Sequence, residues 1–331
     1  MRRPTSHSRR APPEMAGPSG WRDLHRLAGS LVFERHDIQA ELDASGRYDL
    51  RLPPEFPFRI RLFHYASSGF TPHVTWHEPM EIFLPLDGRV DMQMAGRLVH
   101  IAAGDVVIVE NMKPHHVVDH PGFDTRVLVI SFLPEFVCGP GALPHAYGYL
   151  MPFVTRIDGQ HHVVSIDDPE ADGIYRATAR LVEAWHGPSG RRATGCLAWL
   201  LVLLDTLAWR FREAPSQREA FLKQQERAAR LRPLLDRLHH RPSEGMGVAT
   251  AARLTGMSEG RFRREFRLAT GLGLTAYVAK VRLAGAAQRL KHSSLTIAEI
   301  AAEAGFSDQS YFDRCFKKAF GQTPRDFRQA R

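Results

Sequence analysis

The sequence predicts an α+β chain. An antiparallel β-barrel or sandwich lies near the amino end, helices follow it, and an all-α carboxyl-terminal unit contains two helix-turn-helix copies joined by a long helix. Three observations carry this. Between about Leu31 and Phe136, short runs rich in β-branched and aromatic residues are separated by Gly, Pro or Asp-Gly. Beyond Leu231 the apolar spacing changes to three and four, and one stretch occurs twice. Charge is also segregated: residues 216–331 hold 22 Lys and Arg against 11 Asp and Glu, leaving 22 basic and 25 acidic residues to the rest. Only the carboxyl end is therefore suited to a polyanionic partner.

With 331 residues the chain can build two cores. Met1 to Gly20, rich in Pro, Ser, Arg and Gly, is expected to be a disordered tail. It lacks the apolar stretch and small-residue cleavage site of a targeting peptide. Strand runs are then Phe58 to His64, Glu81 to Leu86, Arg89 to Met94, Val106 to Val109 and Arg126 to Phe132, with Asp87-Gly88 as a hairpin signal. Asp172 to Trp185 and Arg191 to Arg212 read as helices. In the second, Leu197, Leu200, Leu201, Leu204, Leu207 and Ala208 form a wide apolar face, which suits either packing on the chain's own β-unit or a dimer interface. Asp205 interrupts that run, and it is shorter than a membrane span, so no membrane insertion is expected. Cys138, Cys196 and Cys315 are odd in number and far apart, which implies no disulfide framework and suits a reducing cytoplasm. The pairs His161-His162 and His239-His240 are expected in surface loops.

The doubled stretch carries the functional signal. In Thr296 to Phe327, Ile297, Ile300 and Ala301 share one face, Gly305 makes a turn, Phe306 plugs it, and Ser307 is expected to cap the next helix. In that helix Phe312, Cys315, Phe316 and Ala319 face inward, while Ser310, Arg314 and Lys317 lie opposite. Val248 to Gly271 repeats the pattern. Ala252-x3-Gly256-Met257-Ser258 matches Ala301-x3-Gly305-Phe306-Ser307, and Phe262-x3-Phe266-x4-Gly271 matches Phe312-x3-Phe316-x4-Gly321. Glu265 stands where the second copy has Cys315, so the first unit is expected to pack less tightly. Thr275 to Lys291 should be one connecting helix, about 25 Å long.

The segment from Leu231 to Phe327 resembles the DNA-binding domain of the AraC/XylS transcription regulators. The resemblance is densest from Ile297 through Gly305-Phe306-Ser307-Asp308-Gln309-Ser310-Tyr311-Phe312 to Thr323-Pro324 and Phe327. Gly273-Leu274 departs from the family's Ser-Pro after the first unit. By position, Arg264 and Arg314 are the first choices for base contacts, since arginine pairs bidentately with guanine. Arg263, Gln309, Ser310 and Asp313 come next, with Gly260 and Arg261 also on the expected surface. Arg267, Lys317 and Lys318 suit phosphates.

A second resemblance lies upstream. His77-x3-Glu81-x6-Gly88 is similar to the later part of the first cupin motif, and Gly104-Asp105 with Pro114-His115 to part of the second. Cupin enzymes hold a metal through three histidines and a carboxylate. Here His77, Glu81 and His115 (or His116) could supply three ligands, but the first position is Thr75, which favours a metal-free pocket. Trp76, His77, Glu81 and His115 are expected to contact an effector, a sugar or another polar metabolite, with His64, Tyr65 and His73 nearby.

Together the resemblances imply a regulator, not an enzyme and without cofactor: an activator that binds promoter DNA, a small-molecule effector and RNA polymerase as a cytoplasmic homodimer. The alternatives are a metal-dependent cupin enzyme tethered to a DNA-binding domain, or a ligand-independent DNA-binding protein. The expected organisation is a tail over 1–20, sensor over 21–165, helical dimerisation region over 166–215, linker over 216–230 and tandem helix-turn-helix domain over 231–331.

Overall fold

A computed structural model describes residues 17–33, 35–36, 41–42, 47–48, 50–65, 74–75, 77–94, 97–110, 115–119, 125–138, 144–153, 163–210 and 217–329. The first element among the described residues is helix α1 (Ser19–Ser30), whose first two residues fall within the expected tail over 1–20. Strands β1 (Arg35–His36), β2 (Arg47–Tyr48), β3 (Phe58–Tyr65), β4 (Val74–Thr75), β5 (Met80–Pro85), β6 (Arg89–Met94), β7 (Arg97–Ala102), β8 (Val106–Val109), β9 (His115–Asp119), β10 (Thr125–Phe132) and β11 (Val163–Val164) follow. Next come α2 (Ala171–His186), α3 (Ser189–Arg210), α4 (Gln217–His240), α5 (Val248–Leu254), α6 (Glu259–Thr270), α7 (Leu274–His292), α8 (Ile297–Glu303), α9 (Gln309–Phe320) and α10 (Pro324–Gln329).

Among the described residues the strands do not close into a barrel, one of the two forms, barrel or sandwich, that the sequence suggested. Among the described residues they form two sheets, one of six strands in the order β1-β3-β10-β5-β8-β11 and one of five in the order β2-β4-β9-β6-β7. The pairs are antiparallel except β1 with β3 and β2 with β4. Strand alternation explains the layers. Phe58, Ile60 and Leu62 of β3 and Ile82 and Leu84 of β5 face a core shared with Trp21, Leu24, Tyr175, Leu181, Leu200 and Leu204 of the three helices α1 to α3. Phe63, Phe83, Val107 and Val129 point the other way and meet Val90, Met92, Ile101 and Val117 of the smaller sheet. The result is three layers: helices, sheet, sheet.

Asp87-Gly88 is not a hairpin turn. β5 pairs with β8 and β10, whereas β6 pairs with β7 and β9, so the chain passes from one sheet to the other at this point. Gly88 takes the positive φ of 62° that this step requires. Asp87 is instead a tie: it accepts from Arg126 Nε and NH2 and from His25 Nε2 at 2.9 Å, binding α1 to the strand layer.

Helix α3 has the length and apolarity of a membrane span. Cys196, Leu200, Leu203, Leu204 and Leu207 are nevertheless fully buried on the chain's own core, while Trp199, Val202 and Trp209 on another side are exposed. The apolar surface thus serves own-chain packing first and leaves a second face open. Expected linker residues 217–230 are also helical, as part of α4. Their composition favours helix, and Glu219–Lys223 and Glu226–Arg230 pair one turn apart. Pro233 lies inside α4, where Leu231, Leu234, Leu235 and Leu238 bury one face in the core of the first repeat. His239 is not a loop residue. It is 1% exposed, and its Nε2 lies 2.8 Å from the Tyr277 hydroxyl of α7. His161 and His162 lie outside the described residues.

Candidate functional site

Two groups of side chains need explanation, one in each half. In the carboxyl half, α5–α6 and α8–α9 form the two copies of the repeat. Phe262 and Phe266 of α6, and Phe312 and Phe316 of α9, are buried at matching positions in two separate cores. The glycines after α6 and α9, Gly271 and Gly321, have φ of 74° and 73° and end their helices in the left-handed conformation. Gly256 and Gly305 make the inner turns, with φ of 64° and 84°. Gly305 is constrained twice, because a Cβ there would lie 2.9 Å from Ser243 Cα and 3.0 Å from Arg282 Cζ.

The cap of α9 differs from the expectation. Asp308, not Ser307, accepts from Tyr311 N at 2.7 Å, so the helix starts one residue later. In α6 Ser258 has the matching role toward Arg261 N. Glu265 leaves no gap at the place of Cys315. It accepts from Arg227 Nε at 2.7 Å and ties α6 to α4, so a charged clasp replaces an apolar contact. Burial raises the Glu265 carboxyl, but Arg227 outweighs it and the group stays below the usual carboxylate range.

Opposite the buried phenylalanines, Gly260, Arg261, Arg263, Arg264 and Arg267 are exposed on α6, and Gln309, Ser310, Arg314, Lys317 and Lys318 on α9. Asp313 is the exception: it is only partly exposed, and its Oδ1 is buried without a hydrogen-bond partner. Arg263 pairs with Glu259 at 3.0 Å, while Arg314 lies over the exposed Tyr311 ring at 5.9 Å. Helix α7 spans 19 residues, two more than expected, and is about 28 Å long.

In the amino half, His77 in the turn before β5, Glu81 on β5 and His115 on β9 converge between the two sheets, each no more than 3% exposed. Glu81 Oε2 is 3.1 Å from His77 Nε2 and 3.2 Å from His115 Nε2. The other oxygen, Oε1, accepts from Ser131 Oγ at 2.7 Å and has Arg61 NH2 at 3.9 Å. Arg61, 1% exposed, also lies over the rings of Tyr48 and Phe63. Burial pushes Glu81 toward the neutral form. The histidines more than offset it, so the carboxyl sits well below its ordinary range. Burial and the Glu81 charge push the Tyr65 hydroxyl up.

Three of the four expected effector contacts are therefore brought together. Trp76 lies outside the described residues, as does His73. Sequence reasoning missed Arg61 and Ser131. A signal for Arg61 existed: in Phe58-Arg-Ile-Arg-Leu-Phe it is a cation on the same strand face as Phe63 and Tyr65. Ser131 is placed only by pairing, since it stands opposite Glu81 in the β10–β5 register. Also missed were contacts between the halves, Arg232 NH1 to Glu78 Oε1 at 2.6 Å and Lys280 Nζ to Gln93 Oε1 at 2.5 Å.

Comparison with known proteins bears mainly on the carboxyl half. A family model described as a helix-turn-helix domain matches residues 251–330. The chain is 42% identical over 73 residues to the transcriptional activator RhaR of Cronobacter sakazakii, covering 22% of this chain and only 26% of that protein. It is 40% identical over 87 residues to PqrA of Proteus vulgaris, named "Probable transcription factor", covering 26% of this chain and 71% of that one. Against the transcriptional regulator ExsA of Pseudomonas aeruginosa, identity is 26% over 254 residues, covering 76% of this chain and 86% of the relative.

Proposed function

This chain belongs to the AraC family of helix-turn-helix transcription regulators, and from that premise we propose that it is a sequence-specific activator controlled by a small polar effector. The observation that carries the DNA-binding part is the duplicated unit. Two helices with matching buried phenylalanines, α6 and α9, present basic faces to solvent and are joined through one connecting helix. Major grooves on one side of a duplex recur about every 34 Å, and a connecting helix about 28 Å long is of the size that could carry two units to adjacent grooves. Arg264 and Arg314 read bases, Arg263, Gln309 and Ser310 support them, and Gly260 and Arg261 lie at the same surface. Arg267, Lys317 and Lys318 set phosphate affinity and salt dependence. Asp313 is the weakest member of the set, because part of its carboxylate is turned away from solvent.

Effector control is supported by where the two halves touch. Glu78, which meets Arg232 of α4, follows His77 directly. Gln93, which meets Lys280 of α7, is paired across β6–β9 with His116, next to His115. A molecule that displaced His77 or His115 would therefore move the residues gripping both helices of the DNA-binding half. Trp76, His77, Glu81 and His115 are its proposed contacts. The exposed face of α3, with Trp199, Val202 and Trp209, supports a homodimer. A cytoplasmic location and contact with RNA polymerase complete the reading.

The test is selection of duplexes from a random pool with purified full-length protein, followed by fluorescence anisotropy at rising salt, with and without candidate sugars. Salt-sensitive binding that prefers the selected sequence is expected. Equal affinity for selected and scrambled duplexes would overturn the reading.

A further inference from the structure

We propose, on the DNA-binding reading above, that Arg282 of α7 is a positioning residue. It fixes the orientation of the second helix-turn-helix unit against the first, and so sets the spacing of the two DNA segments that one chain reads. The apolar interior leaves that orientation open. Tyr277, Val278 and Val281 of α7 belong to the core of the first unit, whereas Leu283, Ala286, Ala287 and Leu290 belong to that of the second. Among the described residues the two cores share no side chain. Arg282 stands at the changeover, between Val281 and Leu283.

What the cores do not join, this guanidinium does. Its Nε donates to the Pro242 carbonyl at 2.7 Å and its Nη2 to that of Ser243 at 3.4 Å, both in the loop between α4 and α5. Its Nη1 donates to the Gly305 carbonyl at 2.8 Å, in the turn between α8 and α9. Acceptors from both units thus meet one planar fork of donors, which resists rotation as a single bond does not. The loop and the turn also abut directly: a Cβ on Gly305 would stand 2.9 Å from Ser243 Cα and 3.0 Å from Arg282 Cζ. The turn leads into α9, so its direction is passed to Ser310 and Arg314 on the exposed face of that helix. A lysine in place of Arg282 would keep the charge, but its ammonium is a point donor on a flexible stem and does not reproduce the fork.

The experiment measures fluorescence anisotropy of full-length protein on the selected duplex. It is repeated with one or two base pairs inserted or removed between the segments that Arg264→Ala and Arg314→Ala show to lie under each unit. Each base pair turns one segment by about 35° and moves it about 3.4 Å. For a change of one base pair the wild type should lose at least about 5-fold in affinity, the smallest cost of one lost bidentate base contact. Arg282→Ala and Arg282→Lys should cut that penalty to less than about 2-fold, because the released second unit follows the moved segment. Arg289→Ala removes a pair with Glu303 inside the second unit and should keep the wild-type profile. Should Arg282→Ala fail to fold, Arg282→Lys decides. A wild-type spacing penalty in either folded variant, or a wild type indifferent to spacing, overturns the proposal. So does uniform weakening at every spacing with a lower melting temperature, or failure of both variants to fold, since either makes Arg282 a residue of fold stability alone. Selection that yields no preferred sequence overturns the regulator reading too, whereas specific binding with an unaltered spacing profile overturns only the role of Arg282.

Discussion

Replacing Arg314 with alanine should weaken recognition without weakening the fold. The side chain is exposed on α9, and its recorded partner is the Tyr311 ring, 5.9 Å away and itself exposed. Such a cation–π contact is worth at most about 0.5–1 kcal/mol, so the melting temperature of the carboxyl half should fall by only about 2–5 °C. A bidentate arginine–guanine pair contributes about 1–3 kcal/mol of discrimination, which is about 5- to 150-fold in Kd for the selected duplex. Binding to scrambled DNA should lose only the share due to one phosphate-neutralising charge. Lys317→Ala is the matched comparison, because it removes one charge from the same exposed helix. It should weaken both duplexes alike and lower the log Kd–log salt slope by about 0.9. Anisotropy on both duplexes at four salt concentrations, with thermal melts of the same samples, separates the two effects. The reasoning is refuted if Arg314→Ala and Lys317→Ala lower affinity equally on both duplexes, or if Arg314→Ala melts far lower than the wild type.

Other consequences are independent of that one. Gly305→Ala should cost more stability than Gly256→Ala, since both have positive φ but only Gly305 abuts Ser243 and Arg282; denaturant midpoints of the full chain compare them, and equal losses would contradict the account. Asp87→Asn should destabilise by about 1 kcal/mol near neutral pH, a value discounted for its partial exposure. Burial raises the Asp87 carboxyl, but Arg126 and His25 outweigh it, so its folded pKa lies below the unfolded one. Its contribution is therefore complete above about pH 4 and disappears as pH falls through the folded value, and the variant's stability curve should converge on the wild type there. Arg232→Glu should place two carboxylates together at Glu78 and loosen the halves, detected as faster proteolysis of the full chain between them with unchanged melting of each half. Trp199→Glu should shift a dimer to monomer in light scattering while leaving circular dichroism unchanged; a dimer that survives places the interface elsewhere.

How much of this was legible in the sequence depends on the range of the interaction concerned. The helix-turn-helix units were readable because their determinants are local: phenylalanines four apart fix one face, and glycines at the turns and C-caps fix the ends. Their outward arginines followed from the same angle. Even there the cap moved from Ser307 to Asp308, because either side chain can accept from the first turn and only the backbone path chooses. Glu265 looked like a packing defect because Arg227, its partner, lies 38 residues away.

The sequence by itself determined the period of β3, β5, β6, β8 and β10 and of the repeat helices, the duplication, the basic carboxyl end and the candidacy of His77, Glu81 and His115, but not α1, β7, β9 or the helical course of 217–230. Tertiary structure decided what those strands joined. A strand run carries its alternation but not the identity of its neighbour, so Asp87-Gly88 looked like a hairpin and proved to be the step between two sheets. For the same reason only folding put Ser131 behind Glu81, Arg61 beside it and two imidazole nitrogens on one carboxylate oxygen. Side-chain period is a property of the local backbone, whereas partnership across a sheet or between halves is settled by which surfaces exclude water together.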